Sequence, residues 1–188
     1  MVIPDCIGLP DCNKVSFASR SRSLTPARAR QECLDLEKRL DEVVGVHARR
    51  AFYSEALVEH PETVLPIFAR DLSGPEQTMT TDAWPGICQL MIGMMDLGPE
   101  QAKESTRIVD GELQWLDDLL ADGRSFLVGG ELSRADIAAA SLLAPLVTPP
   151  EHPTAAAIEI PPRLSQVVAG WHDRPSMHWI REIYRRYR

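Results

Sequence analysis

Cysteine is scarce in this 188-residue chain. Its four cysteines, Cys6, Cys12, Cys33 and Cys88, cannot build the dense disulfide framework of a small secreted scaffold. Reduced thiols in a cytoplasmic setting are the expectation. The longest nearly apolar stretch, Ala135 to Val147, falls short of the roughly 20 residues a membrane-spanning helix needs. No charged start followed by an apolar run marks a signal peptide. Basic charge is short as well: 20 Lys and Arg against 27 Asp and Glu leave a net charge of -7. That balance argues against a general nucleic-acid binder, which needs a basic face to replace phosphate counterions. The only basic concentration, Arg181, Arg185, Arg186 and Arg188, is expected to offset the negative end of a terminal helix.

Catalytic signatures are equally wanting. The sequence contains no Gly-x-Ser-x-Gly elbow, no glycine-rich phosphate loop closed by Lys and Ser or Thr, and no His-Glu-x-x-His helix. Its histidines, His47, His60, His152, His172 and His178, do not pair at metal-ligand spacing. Cys6 and Cys12 suit a small-loop disulfide, half of a soft metal site, or incidental thiols on a surface segment, and no second pair completes a zinc pattern. No metal site and no catalytic residue are expected.

What is present reads as helix after helix. With 44% apolar and 25% charged residues the composition is that of a folded globular chain, long enough to bury about 70% of its unfolded surface in one domain. Residues 1–23 lack periodicity and are expected to be an irregular leader; residues 24–188 form the domain. Thr25 as N-cap and Pro26 at the first helical position open a long helix. Its stripe runs Ala29, Cys33, Leu36, Leu40, Val43, His47 and Ala51. A second helix is expected after Pro61, shortened or kinked by Pro66. A loop is expected from Gly74-Pro75 to Trp84-Pro85, then a helix from Ile87 to Leu97 with Met91, Met94 and Met95 as flexible core filler. Val109, Leu113, Leu116 and Leu120 mark an amphipathic helix over Glu100 to Leu120. No stretch outside the leader sustains a period of two, so the fold class is all-α, a helical bundle.

The most informative segment lies between Phe126 and Pro145. Ser133 and Asp136 have the spacing of a capping box, and Leu132 and Ile137 that of a hydrophobic staple across the same turn. The helix they open is apolar on nearly every side and is expected to be buried at the centre of the bundle. The Phe126-Leu127-Val128-Gly129 lead-in, the Leu132-Ser133-Arg134-Ala135-Asp136 cap and the small-residue helix together resemble the folding signature of the C-terminal domain of glutathione transferases. The long first helix, through Leu40-Asp41-Glu42-Val43-Val44-Gly45-Val46-His47, is similar to that domain's opening helix. Trp171-His172-Asp173-Arg174-Pro175-Ser176 looks like the family's ending. The resemblance covers about Leu24 to Arg188, in family order, interrupted by a proline-rich connection over 148–162 that reads as an insertion.

The resemblance implies conjugation of glutathione to electrophiles, with this chain as the substrate-side helical domain. The family's thioredoxin-like domain, which binds glutathione and supplies the thiolate-stabilising residue, takes roughly 80 residues of alternating strands and helices, more than the leader holds. Glutathione is the family's co-substrate, but binding by this chain is not expected, nor is activity on its own. The same resemblance points to His47, Arg50, Tyr53 and Trp179 as substrate-binding positions, with an arginine beside an aromatic ring suiting an anionic aromatic ligand. Core packing is the competing reading for His47, and solvation for Arg50. The partner implied is a thioredoxin-like domain in trans, or a second copy through self-association. The alternative function is a non-catalytic helical module that binds a hydrophobic ligand or a protein partner.

Overall fold

The computed structural model describes residues 26–155 and 158–188. The leader with Cys6 and Cys12, and the Thr25 N-cap, lie outside the described residues. Among those described there is no strand, and the chain is an all-α bundle. No helix among them is long and apolar enough to cross a membrane.

α1 (Pro26–Arg39), a π-helical segment (Leu40–Gly45) and α2 (Val46–Glu59) follow one another without leaving helical backbone angles. The expected stripe is modified along this length. α1 buries no residue, and Ala29, Cys33 and Leu36 are only half covered. From the π segment onward the buried apolar side chains are Leu40, Val44, Ala48, Ala51, Phe52, Ala56 and Leu57, with Val43 half exposed. A π turn widens the helix and rotates the face that follows, so Val44 takes the place expected for Val43. Gly45 marks the closest approach to the helix opposite: a Cβ there would lie 2.8 Å from Leu142 Cδ2.

α3 (Pro61–Ala69) contains Pro66 and buries Val64. The expected loop after it is instead the first half of α4 (Gly74–Met95), a 22-residue helix. Ser73 and Glu76 cap it, and Pro75 sits in the first turn, where no amide hydrogen is needed. Pro85 lies inside the helix and removes one of its bonds. Tertiary contacts offset that loss: the buried Trp84 ring lies 5.3 Å from Phe68, and its Nε1 donates to the Pro61 carbonyl at 2.8 Å. Met91 and Met95 are half-buried, but Met94 is 78% exposed and fills no core.

α5 (Pro99–Leu120) buries Val109, Leu113, Leu116 and Leu120, as its stripe requires, and packs along α2. α6 (Arg134–Val147) packs against α1, the π segment and α2, burying Ala139, Ala140, Leu143, Ala144, Leu146 and Val147. It is not buried all round: Ile137 keeps 44% exposure and Ser141 is exposed. Thr148, in the left-handed region at φ 44°, ends it. After the connection come α7 (Pro162–Trp171) and α8 (Pro175–Tyr187); α8 packs on α5 and α6 through Met177, Ile180, Ile183 and Tyr184.

Candidate functional site

The start of α6 is a buried polar junction. Asp136 is fully buried. Its Oδ2 accepts from the Ser133 amide at 2.7 Å and from Ser133 Oγ at 2.6 Å, and its Oδ1 accepts from the Leu127 amide at 2.7 Å. One carboxylate therefore caps the helix and also ties down the Phe126–Gly130 lead-in, whose Leu127 and Val128 are buried. Gly129, at φ 68°, supplies the left-handed residue that this turn needs. Burial pushes the Asp136 carboxyl above the ordinary aspartate range, and the hydrogen bonds from Ser133 and Leu127 oppose that shift. Leu132 is half-buried against the core, while its expected staple partner Ile137 keeps 44% exposure.

His47, Arg50 and Tyr53 follow one another at intervals of three along α2, on its way past α5. His47 Nδ1 and the fully buried Ser105 Oγ share a hydrogen bond of 3.1 Å. Desolvation first, then the Arg50 charge, lowers the imidazole pKa, which keeps the ring neutral near pH 7. Arg50 is not a free cation. Its Nε donates to the Asp96 carbonyl at 3.0 Å, its Nη1 to Glu104 at 3.1 Å, and its Nη2 to the Asp96 carboxylate. The guanidinium thus fastens the left-handed turn at Asp96, which ends α4, to the first turns of α5. Tyr53 is half-buried with its ring edge-on to Phe52 at 5.5 Å, and burial raises its pKa.

Trp179 belongs to a different place. It lies on α8, and its Nε1 donates to the Ser125 carbonyl at 2.9 Å. It lines a surface cavity of about 440 Å³ together with Phe126, Ile183 and Tyr187, with Arg124, His178, Glu182 and Arg186 around them. None of the three α2 residues lines that cavity, so the four candidate positions divide into an α2 row and an α8 wall. Arg124 and Arg186 are held by Asp122 and Glu182, and the aromatic rings provide most of what the cavity can offer a ligand: flat apolar surface beside guanidinium groups. A second cavity of about 270 Å³, between His60 and Pro162, contains none of the four.

Among the described residues no group of three or more His, Cys, Asp or Glu side chains is placed to hold a metal ion. Cys88 is buried, and desolvation raises its thiol pKa, which disfavours the nucleophilic thiolate. The arrangement offers shape, aromatic surface and paired cations, and the hydroxyl that meets His47, Ser105 Oγ, is fully buried.

Two acidic anchors escaped the sequence reading. Asp110 and Asp117 of α5, with Gln114 between them, receive the chain ending. Trp171 Nε1 donates to Asp110 at 2.8 Å, Arg174 Nε to Asp117 at 2.8 Å, Arg174 Nη2 to Gln114 at 2.9 Å, and the Ser176 amide to Asp117 at 2.7 Å. Their spacing, four and then three along α5, was a usable signal for one polar face. The second anchor, Glu55, is 3% exposed and accepts from the Arg163 and Leu164 amides at 2.9 and 3.0 Å, starting α7. An acid in mid-helix with its partners over a hundred residues away carries no local signal.

No protein-family model, no curated protein and no solved structure matches the chain.

Proposed function

We propose that the chain is a glutathione transferase-like helical domain that provides the electrophile-side wall of a conjugating site and contributes no catalyst itself. The observation that carries the reading is the Asp136 junction, where one buried carboxylate caps the central helix and fixes the lead-in before it. Support comes from the Trp171–Arg174 clamp onto α5 and from an apolar edge left open beside the junction: Leu34 of α1 is 40% exposed and Ile137 of α6 44%. On this reading a thioredoxin-like domain docks at that edge in a cytoplasmic complex, brings glutathione and activates its thiol. The thiol gives up its proton to that domain, the sulfur bonds to the electrophilic carbon as a leaving group departs from that carbon with its electron pair, and this chain confines the electrophile by contact with the aromatic wall.

Isothermal titration tests the division of labour. Glutathione added to the chain alone is expected to give no saturable heat, and glutathione binding is expected only when a thioredoxin-like domain is supplied. Saturable binding by the chain alone would overturn the assignment. A second reading, a non-catalytic module for a hydrophobic ligand, draws on the Phe126, Trp179 and Tyr187 cavity. It requires that a planar anionic aromatic probe quench Trp179 fluorescence saturably, and that Trp179→Phe remove the response.

A further inference from the structure

The proline-rich connection after α6 is fastened to the bundle through a histidine. Thr148, a β-branched residue held at φ 44°, starts it under backbone strain. Pro149, Pro150 and Pro153 fix three of the next five φ angles. His152 is half-buried, with its ring 5.6 Å from that of the buried Tyr184 on α8. Its Nδ1 meets two donors, the Thr154 amide at 3.2 Å and the Thr154 hydroxyl at 2.9 Å. An amide can only donate, so Nδ1 carries no hydrogen: the ring is neutral and Nε2 holds its proton. Arg70, after α3, donates from Nη1 to the Pro153 carbonyl at 2.7 Å. The far end of the connection is held separately, by Glu55 on the Arg163 and Leu164 amides.

A proton on Nδ1 reverses this arrangement. The Thr154 hydroxyl can rotate and accept, but the amide cannot, and it loses its partner while facing a new N–H. The added charge also falls among cations. Desolvation first, then the charges of Arg188 and Arg70, lowers the imidazole pKa. Of the other ionisable groups around the segment, Tyr184 presents its ring, and Glu151 is exposed with its charge acting on Arg185 of α8. We propose that residues 149–155 form a pH-sensitive strap, fastened against Tyr184 while His152 is neutral and released when it is protonated, with Thr148 as the hinge and Glu55 as the anchor that stays closed. The direction follows from linkage: the folded pKa is lowered, so the strap's share of stability is present above the ordinary histidine value and lost as pH falls through the folded one. The switch is independent of any binding to glutathione.

Heteronuclear NMR of the full chain reads the tautomer and midpoint of His152 directly. The Nε2–H tautomer and a midpoint below that of ordinary histidine are expected. Protection of the Thr154 amide against hydrogen exchange, corrected for the intrinsic pH dependence of exchange, should fall between about pH 8 and about pH 5. The fall should reach up to about tenfold for each unit that separates the two midpoints, while the Leu164 amide keeps its protection. His152→Asn supplies a side-chain oxygen that accepts from the same amide in an Asx-turn but does not titrate, so protection should survive and lose its pH dependence. His152→Phe keeps a ring beside Tyr184 and accepts nothing, so the Thr154 amide should be unprotected at both pH values. An Nδ1–H tautomer, a midpoint at or above the ordinary histidine value, or a Thr154 amide indifferent to pH overturns the strap. So does a pH-dependent loss that persists in His152→Asn or extends to the Leu164 amide.

Discussion

α4 and α6 begin with the same device in opposite surroundings. Ser73 and Glu76 share hydrogen bonds of 2.8 Å from the amide and 2.6 Å from the hydroxyl; Ser133 and Asp136 share bonds of 2.7 and 2.6 Å. Glu76 stands in water, whereas Asp136 is fully buried and holds a third donor, the Leu127 amide. The carboxyls consequently shift in opposite directions: hydrogen bonds from Ser73 draw Glu76 below its ordinary range, while burial carries Asp136 above its own. The motif decides where each helix starts. Burial decides how much depends on it, since a donor left unpaired at an exposed cap turns to water and one at a buried cap cannot.

The largest contrast should come from removing the acids. Asp136→Ala strands the Leu127 and Ser133 amides in the interior and should destabilise the chain by about 3 kcal/mol. Glu76→Ala, whose freed donors meet solvent, should cost a small fraction of that. Urea denaturation of the two variants measures both, and equal losses would break the comparison. A smaller contrast is expected from the serines: Ser133→Ala should cost about 2 kcal/mol and Ser73→Ala about 0.5 kcal/mol, the two ends of the range for N-caps.

The smallest effect, and the sharpest test of the electrostatics, is titration. Glu76, with its folded pKa lowered, contributes stability that is present above the ordinary glutamate value and lost as pH falls through the folded one. Asp136, with its folded pKa raised, contributes in the opposite sense: its share is present below the ordinary aspartate value and lost as pH rises through the folded one. Carboxyl carbon shifts followed by NMR through the acid range should show Glu76 titrating below the usual glutamate midpoint and Asp136 above the usual aspartate midpoint. Midpoints shifted in the same direction would show that burial does not separate the two caps.

Legibility followed the range of the forces involved. The α5 stripe and the Ser133–Asp136 cap could be read because each is a relation between residues three or four apart. The first half of α4 could not: Gly74, Pro75 and Pro85 are local arguments for a loop, and the Trp84 contacts that outweigh them reach Pro61 and Phe68. The Val43 expectation failed because a π turn changes phase in mid-helix. Of the candidate positions, His47, Arg50 and Tyr53 lie on α2, each with its own partners, and Trp179 lies on α8. The acids that hold Arg50, Asp96 and Glu104, come from another helix end and from α5.

By itself, then, the sequence determined the helical class, the starts of α3, α5 and α6 to within about a residue and the chemistry of the central cap, since these follow from hydrogen bonds and periodicity within one or two turns. Only the tertiary structure decided which cap is buried, that α4 runs through its prolines, that Arg50 is paired with Asp96 and Glu104, and that one side of α4 is exposed. Each of those depends on partners dozens of residues away, whose meeting is set by packing of the whole bundle and not by any local pattern.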